Sequence, residues 1–112
     1  MIVCLRTVEV PPEWRQRYLD WIQAGRHIRE QHGILAELVC ESGDGETVVV
    51  TIWPSNEVFD AWIATPYRDQ LTASEVHQAV THHPITRHEV AAGYLNLPGL
   101  SAQPVRSSKE QP

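Results

Sequence analysis

The sequence predicts an α+β domain with the element order β-α-β-β-α-β, the ferredoxin-like arrangement in which an antiparallel four-stranded sheet carries its helices on one face. Three observations lead to this prediction. Short β-rich runs alternate with stretches of helical periodicity along the chain. The turn residues Ser42-Gly43-Asp44-Gly45 join two of the runs as a hairpin. A β-branched run ends at Trp53-Pro54, where proline forbids further strand pairing and a helix follows.

Each element follows from a local pattern. In the first helix large side chains recur every three or four positions, and Gly33 is placed to end it. Ser55 is placed to cap the second helical region, which Thr65-Pro66 interrupts. The predicted strands are residues 2–10, 34–41, 46–53 and 87–97, and the predicted helices are residues 13–32, 55–64 and 66–80.

Length and composition indicate one domain. With 112 residues, 42% of them apolar, the chain is long enough for a single core. We expect a folded domain over residues 1–97 and a flexible tail over residues 98–112, which is rich in proline, serine and charge. The net charge of −5 argues against a nucleic-acid partner, and no apolar run approaches the length of a membrane span. A cytoplasmic protein is therefore expected, with Cys4 and Cys40 as free thiols.

The predicted sheet has apolar residues on both faces. In the first strand Ile2, Cys4 and Val8 share one parity, whereas Val3 and Leu5 share the other. The helices cover one face, and a chain of this length has no spare element for the second. We therefore predict a homodimer in which two copies cover each other's open face.

The strand that ends Val-Val-Val-Thr-Ile-Trp at Trp53, followed by Ser-Asn-Glu-Val-Phe-Asp-Ala-Trp up to Trp62, resembles the antibiotic-biosynthesis-monooxygenase family. The resemblance extends over residues 2–97. It implies a dimeric α/β barrel. The members of this superfamily include cofactor-free quinol oxygenases, haem-degrading monooxygenases and many proteins of unknown activity.

The haem-degrading branch of the family implies three functional residues. Its tryptophan on the second helix matches Trp62, but its strand-one asparagine is replaced by Arg6 and its iron-ligating histidine falls near Leu71 or Thr72. Only His77, further along, stands as a substitute axial ligand. We therefore expect no cofactor and do not favour haem, although haem binding stays open.

The cofactor-free oxygenases resemble this chain at Trp53, but Phe59 stands where they have a tyrosine and Val49 where they have an asparagine. An oxygenase without a cofactor must deprotonate its phenol or quinol and hold the resulting anion, which requires a base and a cation. Arg6 is the candidate cation, and His77 or His27 is the candidate base.

Each candidate also has an ordinary structural explanation. Arg6 points toward apolar neighbours, so it needs either a ligand anion or a salt bridge to Glu9, Glu37 or Glu89. His77 lies in a polar stretch that suits a solvated helix face, and the aromatic residues suit a packed core. The histidines His82, His83 and His88 lack the partners of a familiar metal site, so no metal is expected.

Two functions follow from these residues. The first is a small monooxygenase that oxidises an aromatic or quinol-like compound in an apolar pocket between sheet and helices. Arg6 and His77 are its predicted catalytic residues, and its predicted substrate-binding residues are Trp53, Phe59, Trp62 and Tyr67. The alternative is a carrier that binds a small aromatic molecule or haem in the same pocket without turnover.

Overall fold

The computed structural model describes residues 1–96 of the chain. The strands are β1 (Ile2–Glu9), β2 (Ala36–Glu41), β3 (Glu46–Trp53), β4 (Thr81–His82) and β5 (Thr86–Glu89). The helices are α1 (Arg15–Ala24), α2 (Arg26–Gln31), α3 (Asn56–Ile63), α4 (Pro66–Thr72) and α5 (Glu75–Ala79), and a single 3-10 turn (Pro12–Trp14) precedes α1. The predicted boundary at residue 97 and the tail, residues 98–112, lie outside the described residues.

The sheet is antiparallel and has the strand order β2-β3-β1, with β4 and β5 both on the free edge of β1. The two β-branched strands lie at its centre, with Ile2 opposite Trp53 and Glu9 opposite Glu46. The helices pack on one face and the sheet does not close. This arrangement confirms the ferredoxin-like α+β fold that the sequence predicted.

The helical regions are more divided than the sequence predicted. The first breaks at Gly25, which lies between α1 and α2, and the third breaks at Ala73-Ser74. Ser74 has an extended backbone, and its hydroxyl accepts a hydrogen bond from the His77 N–H at 3.2 Å, so a new helix begins there. The periodicity of the large side chains continues across both breaks, which is why it predicted single helices.

The last strand is shorter than the predicted residues 87–97. Hydrogen bonding to β1 ends after Glu89, apart from one bond from the Val90 N–H to the Met1 carbonyl at 3.0 Å. The two-residue strand β4 supplies the rest of this edge, with His82 opposite Val8. The His83 N–H still donates to the Thr7 carbonyl of β1 at 3.0 Å, and the pairing is interrupted at Pro84, because proline lacks a backbone donor.

The buried face of the sheet carries two apolar clusters. The aromatic cluster consists of Ile2, Cys4, Trp53, Phe59 and Trp62. The aliphatic cluster consists of Val8, Tyr18, Ile22, Val49 and Val80. In β1 the two clusters are separated by Arg6, which shares their face. A charged residue therefore lies at the junction of the two halves of the core.

The corner between β3 and α3 forms as the sequence predicted. The Ser55 hydroxyl caps α3 by accepting a hydrogen bond from the Val58 N–H at 3.2 Å. Trp53, at the end of the strand, is only 1% exposed, and Trp62 in the helix is 4% exposed. The cap therefore holds the two indoles at one end of the sheet.

The opposite face of the sheet is open. Its central positions are apolar and only partly buried in the described residues. They are Val3 and Leu5 in β1, Leu38 in β2, and Val48, Val50 and Ile52 in β3.

Candidate functional site

A cavity lies between the covered face of the sheet and the helices. Its volume is about 70 Å³, and its lining comes from β1, β2, β3 and the helices α1 to α4, with His77 added by α5 and Ile85 by the segment between β4 and β5. Arg6 and Cys4 both line it, so the cavity spans the junction of the aromatic and aliphatic clusters.

One wall of the cavity is aromatic. Trp53, Phe59 and Trp62 line it, with the two indoles nearly parallel at a centroid distance of 6.2 Å and Phe59 tilted against Trp53 at 5.3 Å. The Trp53 indole N–H is satisfied by the Thr51 hydroxyl at 3.0 Å. Tyr67 packs against the outer side of Trp62 at 6.1 Å and is not among the lining residues. Three of the four aromatic candidates therefore share one surface.

The floor of the cavity contains a buried ion pair. Arg29 Nε lies 2.6 Å from Glu37 Oε2, and Arg29 Nη2 donates to Glu37 Oε1 at 2.9 Å. The two side chains are only 11% and 8% exposed. Arg29 also donates to the carbonyl of Ile22, at the end of α1. Glu37 is therefore committed to Arg29 and does not form the salt bridge to Arg6 that the sequence left open.

Arg6 has no carboxylate within 4 Å among residues 1–96. Another of its sequence-predicted partners, Glu9, instead lies 3.0 Å from a ring nitrogen of His83. The Arg6 Nε is buried, and in the described structure it has no hydrogen-bond partner. The Tyr18 hydroxyl lies beside Arg6: burial raises the pKa of this phenol, and the charge of Arg6 and a side-chain hydrogen bond with Arg6 lower it in part. Among residues 1–96 the Arg6 guanidinium is therefore left without a counter-charge at the cavity.

Arg68 is a second cation at the cavity, and the sequence interpretation missed it. Burial and the nearby Arg6 lower the pKa of its guanidinium. The sequence does contain a signal that could have predicted the position of Arg68. Arg68 precedes Leu71 by three positions, so both lie on the same face of a helix, and both line the cavity.

His77 lines the same cavity, so the structure brings the two predicted catalytic residues together. Its ring stacks on His82 at a centroid distance of 3.9 Å and meets Trp21 edge-on at 6.1 Å. Burial, His82 and the two arginines Arg68 and Arg6 lower the pKa of His77 to about 4. The imidazole is therefore neutral at physiological pH and can accept a proton.

Neither His27 nor Cys4 adds a reactive group to the cavity. His27 is exposed and bonded to Gln31 at 3.1 Å, away from the cavity. Cys4 lines the cavity, but burial raises the pKa of its thiol, which keeps it protonated.

Over residues 1–96 no cluster of three or more His, Cys, Asp or Glu side chains is suited to a metal ion. In the same part of the chain no helix has the length and apolarity needed to cross a membrane.

Solved structures share this fold. A candidate antibiotic biosynthesis monooxygenase from Deinococcus radiodurans superposes with a TM-score of 0.67 at 22% identity, over 87% of this chain and 99% of that one. The haem degrader MhuD from Mycobacterium tuberculosis, with two haems bound in its active site, superposes with a TM-score of 0.67 at 23% identity. The match covers 84% of this chain and 99% of that one. A search among curated proteins returns no match.

A haem does not fit this cavity as it is folded. The volume of about 70 Å³ is far below that of ordinary ligand pockets, which hold roughly 300–1,000 Å³. His77, which lines the cavity, is stacked on His82, and the position where the resemblance places an iron ligand falls near Leu71 or Thr72, neither of which is a histidine. No step of the chemistry below passes through haem.

The sequence itself defines the family. The family model described as antibiotic biosynthesis monooxygenase matches residues 1–74, which contain the β1-to-α3 framework and both indoles of the aromatic wall. This match covers more than half of the chain and agrees with the fold of the solved neighbours. The chain belongs to the antibiotic biosynthesis monooxygenase family.

Proposed function

We propose that the protein is a small cofactor-independent monooxygenase that oxidises a phenolic or quinol-like aromatic compound. The observation that carries the proposal is that Arg6, which has no carboxylate partner among residues 1–96, and the neutral His77 line one cavity with an aromatic wall. The indoles offer flat surfaces to an aromatic ring, and Arg6 offers positive charge to its oxygen.

Such a reaction balances without a cofactor. The phenol first ionises, and the electron-rich anion passes an electron to dioxygen. A ring C–H is then replaced by a carbonyl to give a quinone. One oxygen atom becomes that carbonyl and the other leaves as water, so the substrate supplies all the electrons.

The low pKa of His77 determines how much His77 and Arg6 each contribute to ionising the phenol. An imidazole whose pKa is about 4 is a weak base, since a phenol has a pKa of roughly 10 and each unit of mismatch costs about 1.4 kcal/mol. His77 accepts the proton only if the cavity also stabilises the phenolate. In our proposal Arg6 supplies that stabilisation and is the more important of the two residues.

In this proposal, movement of the helices above the cavity makes the space for an aromatic ligand. An apolar cavity that binds benzene has a volume of roughly 150 Å³, about twice the present volume of about 70 Å³. Neither α4 nor α5 contains a fully buried residue, and in the described structure neither is tied to the sheet by a buried ion pair as α2 is, so these short helices are the least firmly held part of the cover. We propose that they move outward to admit a ligand and bring Arg68 and His77 onto it when they return.

The second candidate function is binding without turnover. The weak basicity of His77 and the presence of Phe59 in place of a tyrosine favour it. In this case the same cavity holds a small aromatic molecule, and its positive charge retains the ionised form of the molecule.

Oxygen uptake with a panel of reduced quinols separates the two functions. Turnover that Arg6→Ala abolishes and Arg15→Ala leaves intact supports the oxygenase, because Arg15 pairs with Glu41 at the surface, outside the cavity and away from α4 and α5. Quinol binding without oxygen uptake supports the carrier. A haem Soret band that disappears in His77→Ala would instead support the haem branch.

We also propose that two copies associate through the open face of the sheet. Val3, Leu5, Val48, Val50 and Ile52 form a continuous apolar surface there, since they are cross-strand neighbours in β1 and β3. A second copy offers a surface of the same shape and polarity. Sedimentation that shows a stable single subunit at micromolar concentration would refute the dimer. The cytoplasmic location stays a prediction.

A further inference from the structure

The cavity carries more positive charge than the proposed reaction requires. Arg6, Arg29, Arg68 and Glu37 are the charged residues that line it. Arg29 is neutralised by its ion pair with Glu37. Arg6 and Arg68 form no ion pair within 4 Å in the described part of the chain, although the whole protein has a net charge of −5. Two uncompensated cations therefore face one small space.

The two guanidiniums repel each other. Burial and the charge of Arg6 both lower the pKa of Arg68. Asp69 follows Arg68 and offsets this in part, but its side chain is exposed and lies outside the lining of the cavity. An arrangement of this kind is unfavourable in the free protein and becomes favourable when an anion binds between the cations.

The reaction proposed above accounts for one of the two charges. Arg6 faces the substrate oxygen that ionises, which leaves Arg68 without a role. The planar fork of a guanidinium matches the two oxygens of a carboxylate, and such charge-assisted hydrogen bonds are among the stronger ones in proteins. Arg68 lies on the same helix face as Leu71, so an apolar contact adjoins it.

We infer that the substrate is an aromatic acid, with Arg68 binding a permanent carboxylate while Arg6 faces the ring hydroxyl. This inference rests on the proposed function and narrows its substrate class from neutral quinols to hydroxylated aromatic carboxylates. Ile63 and Ile85, which line the cavity and are 36% and 37% exposed, offer an apolar mouth for the ring. A single-ring acid needs less opening of the cavity, from its present volume of about 70 Å³, than a polycyclic acid does.

Gentisate and its methyl ester test the inference, because they share one ring and both hydroxyls and differ in the carboxylate charge. Binding is measured without oxygen at pH 7 from quenching of tryptophan fluorescence, which Trp53 and Trp62 in the cavity wall report. We expect the acid to bind at least about tenfold more tightly than the ester. A gain of this size is what one charge-assisted hydrogen bond, here between Arg68 and the carboxylate, contributes to affinity. The preference should weaken as salt is added.

Three variants assign the effect to Arg68. Arg68→Gln should bring the affinities for acid and ester within about twofold of each other, whereas Arg68→Lys should keep part of the preference. Arg6→Gln should weaken both ligands and leave their ratio largely unchanged. Arg15→Gln, at the surface ion pair with Glu41, is the control and should match the native protein.

Equal affinity of the native protein for acid and ester overturns the inference, and so does the absence of binding by both. A preference that survives in Arg68→Gln also overturns it. If this variant does not fold, as judged by circular dichroism, the salt dependence of the native protein and Arg68→Lys still decide the question. Oxygen uptake is measured separately. Acid-selective binding without uptake refutes the oxygenase alone, whereas uptake with neutral quinols and no acid preference refutes the inference alone.

Discussion

Arg29 and Glu37 form a two-point ion pair beneath the cavity, with Nε and Oε2 2.6 Å apart and both side chains almost wholly buried. The pair joins α2 to β2 and neutralises one of the three arginines that line the cavity. It therefore supports the fold and also determines which charges remain for a ligand.

Replacing Glu37 with glutamine should destabilise the protein strongly. The change leaves the Arg29 guanidinium buried without a counter-charge, so we expect a loss of about 3–5 kcal/mol in the free energy of unfolding. Urea unfolding followed by fluorescence measures it. Glu41→Gln is the matched control, because its ion pair with Arg15 lies at the surface and should contribute under about 1 kcal/mol. Equal losses in the two variants would contradict this account.

Gly25→Ala should also destabilise the fold. A Cβ at this position would lie 2.6 Å from Arg29 Nη1, and the guanidinium is held in place by Glu37 and the Ile22 carbonyl. We expect a loss of about 1–3 kcal/mol, as for other insertions into packed sites. At Gly43 an added Cβ meets nothing within 4 Å, so Gly43→Ala is the control in the same urea assay. A neutral Gly25→Ala would show that Arg29 is free to move.

Stability should fall as the pH falls, in part because of His77. Its pKa in the folded protein is about 4, below the value of about 6.5 for an unfolded chain. The unfolded state therefore binds more protons between these two values, and the stabilisation present above about pH 6.5 is lost progressively down to about pH 4. The pKa of His82 is lowered too, so it contributes in the same direction.

Thermal unfolding at a series of pH values measures this dependence. His77→Gln should flatten the slope between the two pKa values. Gln78→Ala, an exposed change in the same helix that removes no titratable group, is the control and should leave the slope as in the native protein. An unchanged slope in His77→Gln would contradict a lowered pKa of His77 in the folded protein.

Val50→Glu should separate the proposed dimer. Val50 lies on the open face of β3, opposite Leu5 of β1 and Leu38 of β2, at the centre of the apolar surface. A carboxylate there would be buried without a partner in the dimer, at a cost of several kcal/mol, but solvated in the monomer. Sedimentation equilibrium should show a monomer with native circular dichroism. Gln70→Glu, on an exposed position of α4, is the control and should stay dimeric.

Much of the framework could be predicted from short-range patterns. The limits of β3, the hairpin turn and the Ser55 cap depend on neighbours within a few residues, and all three form as predicted. The breaks at Gly25 and Ser74 could not be predicted in the same way, because the periodicity of the large side chains continues through them. At Gly25 the break is associated with Arg29, whose partner Glu37 belongs to another element.

The sequence by itself determined the order of strands and helices, the family, and the aromatic corner at Trp53 and Trp62. Only the tertiary structure decided that Glu37 pairs with Arg29, so that Arg6 has no carboxylate partner in the described part of the chain and lines one cavity together with Arg68 and His77. The physical reason is distance. Periodicity and capping act between residues a few positions apart, whereas the partner of a buried charge is the group that folding brings within a few ångströms, from any part of the chain.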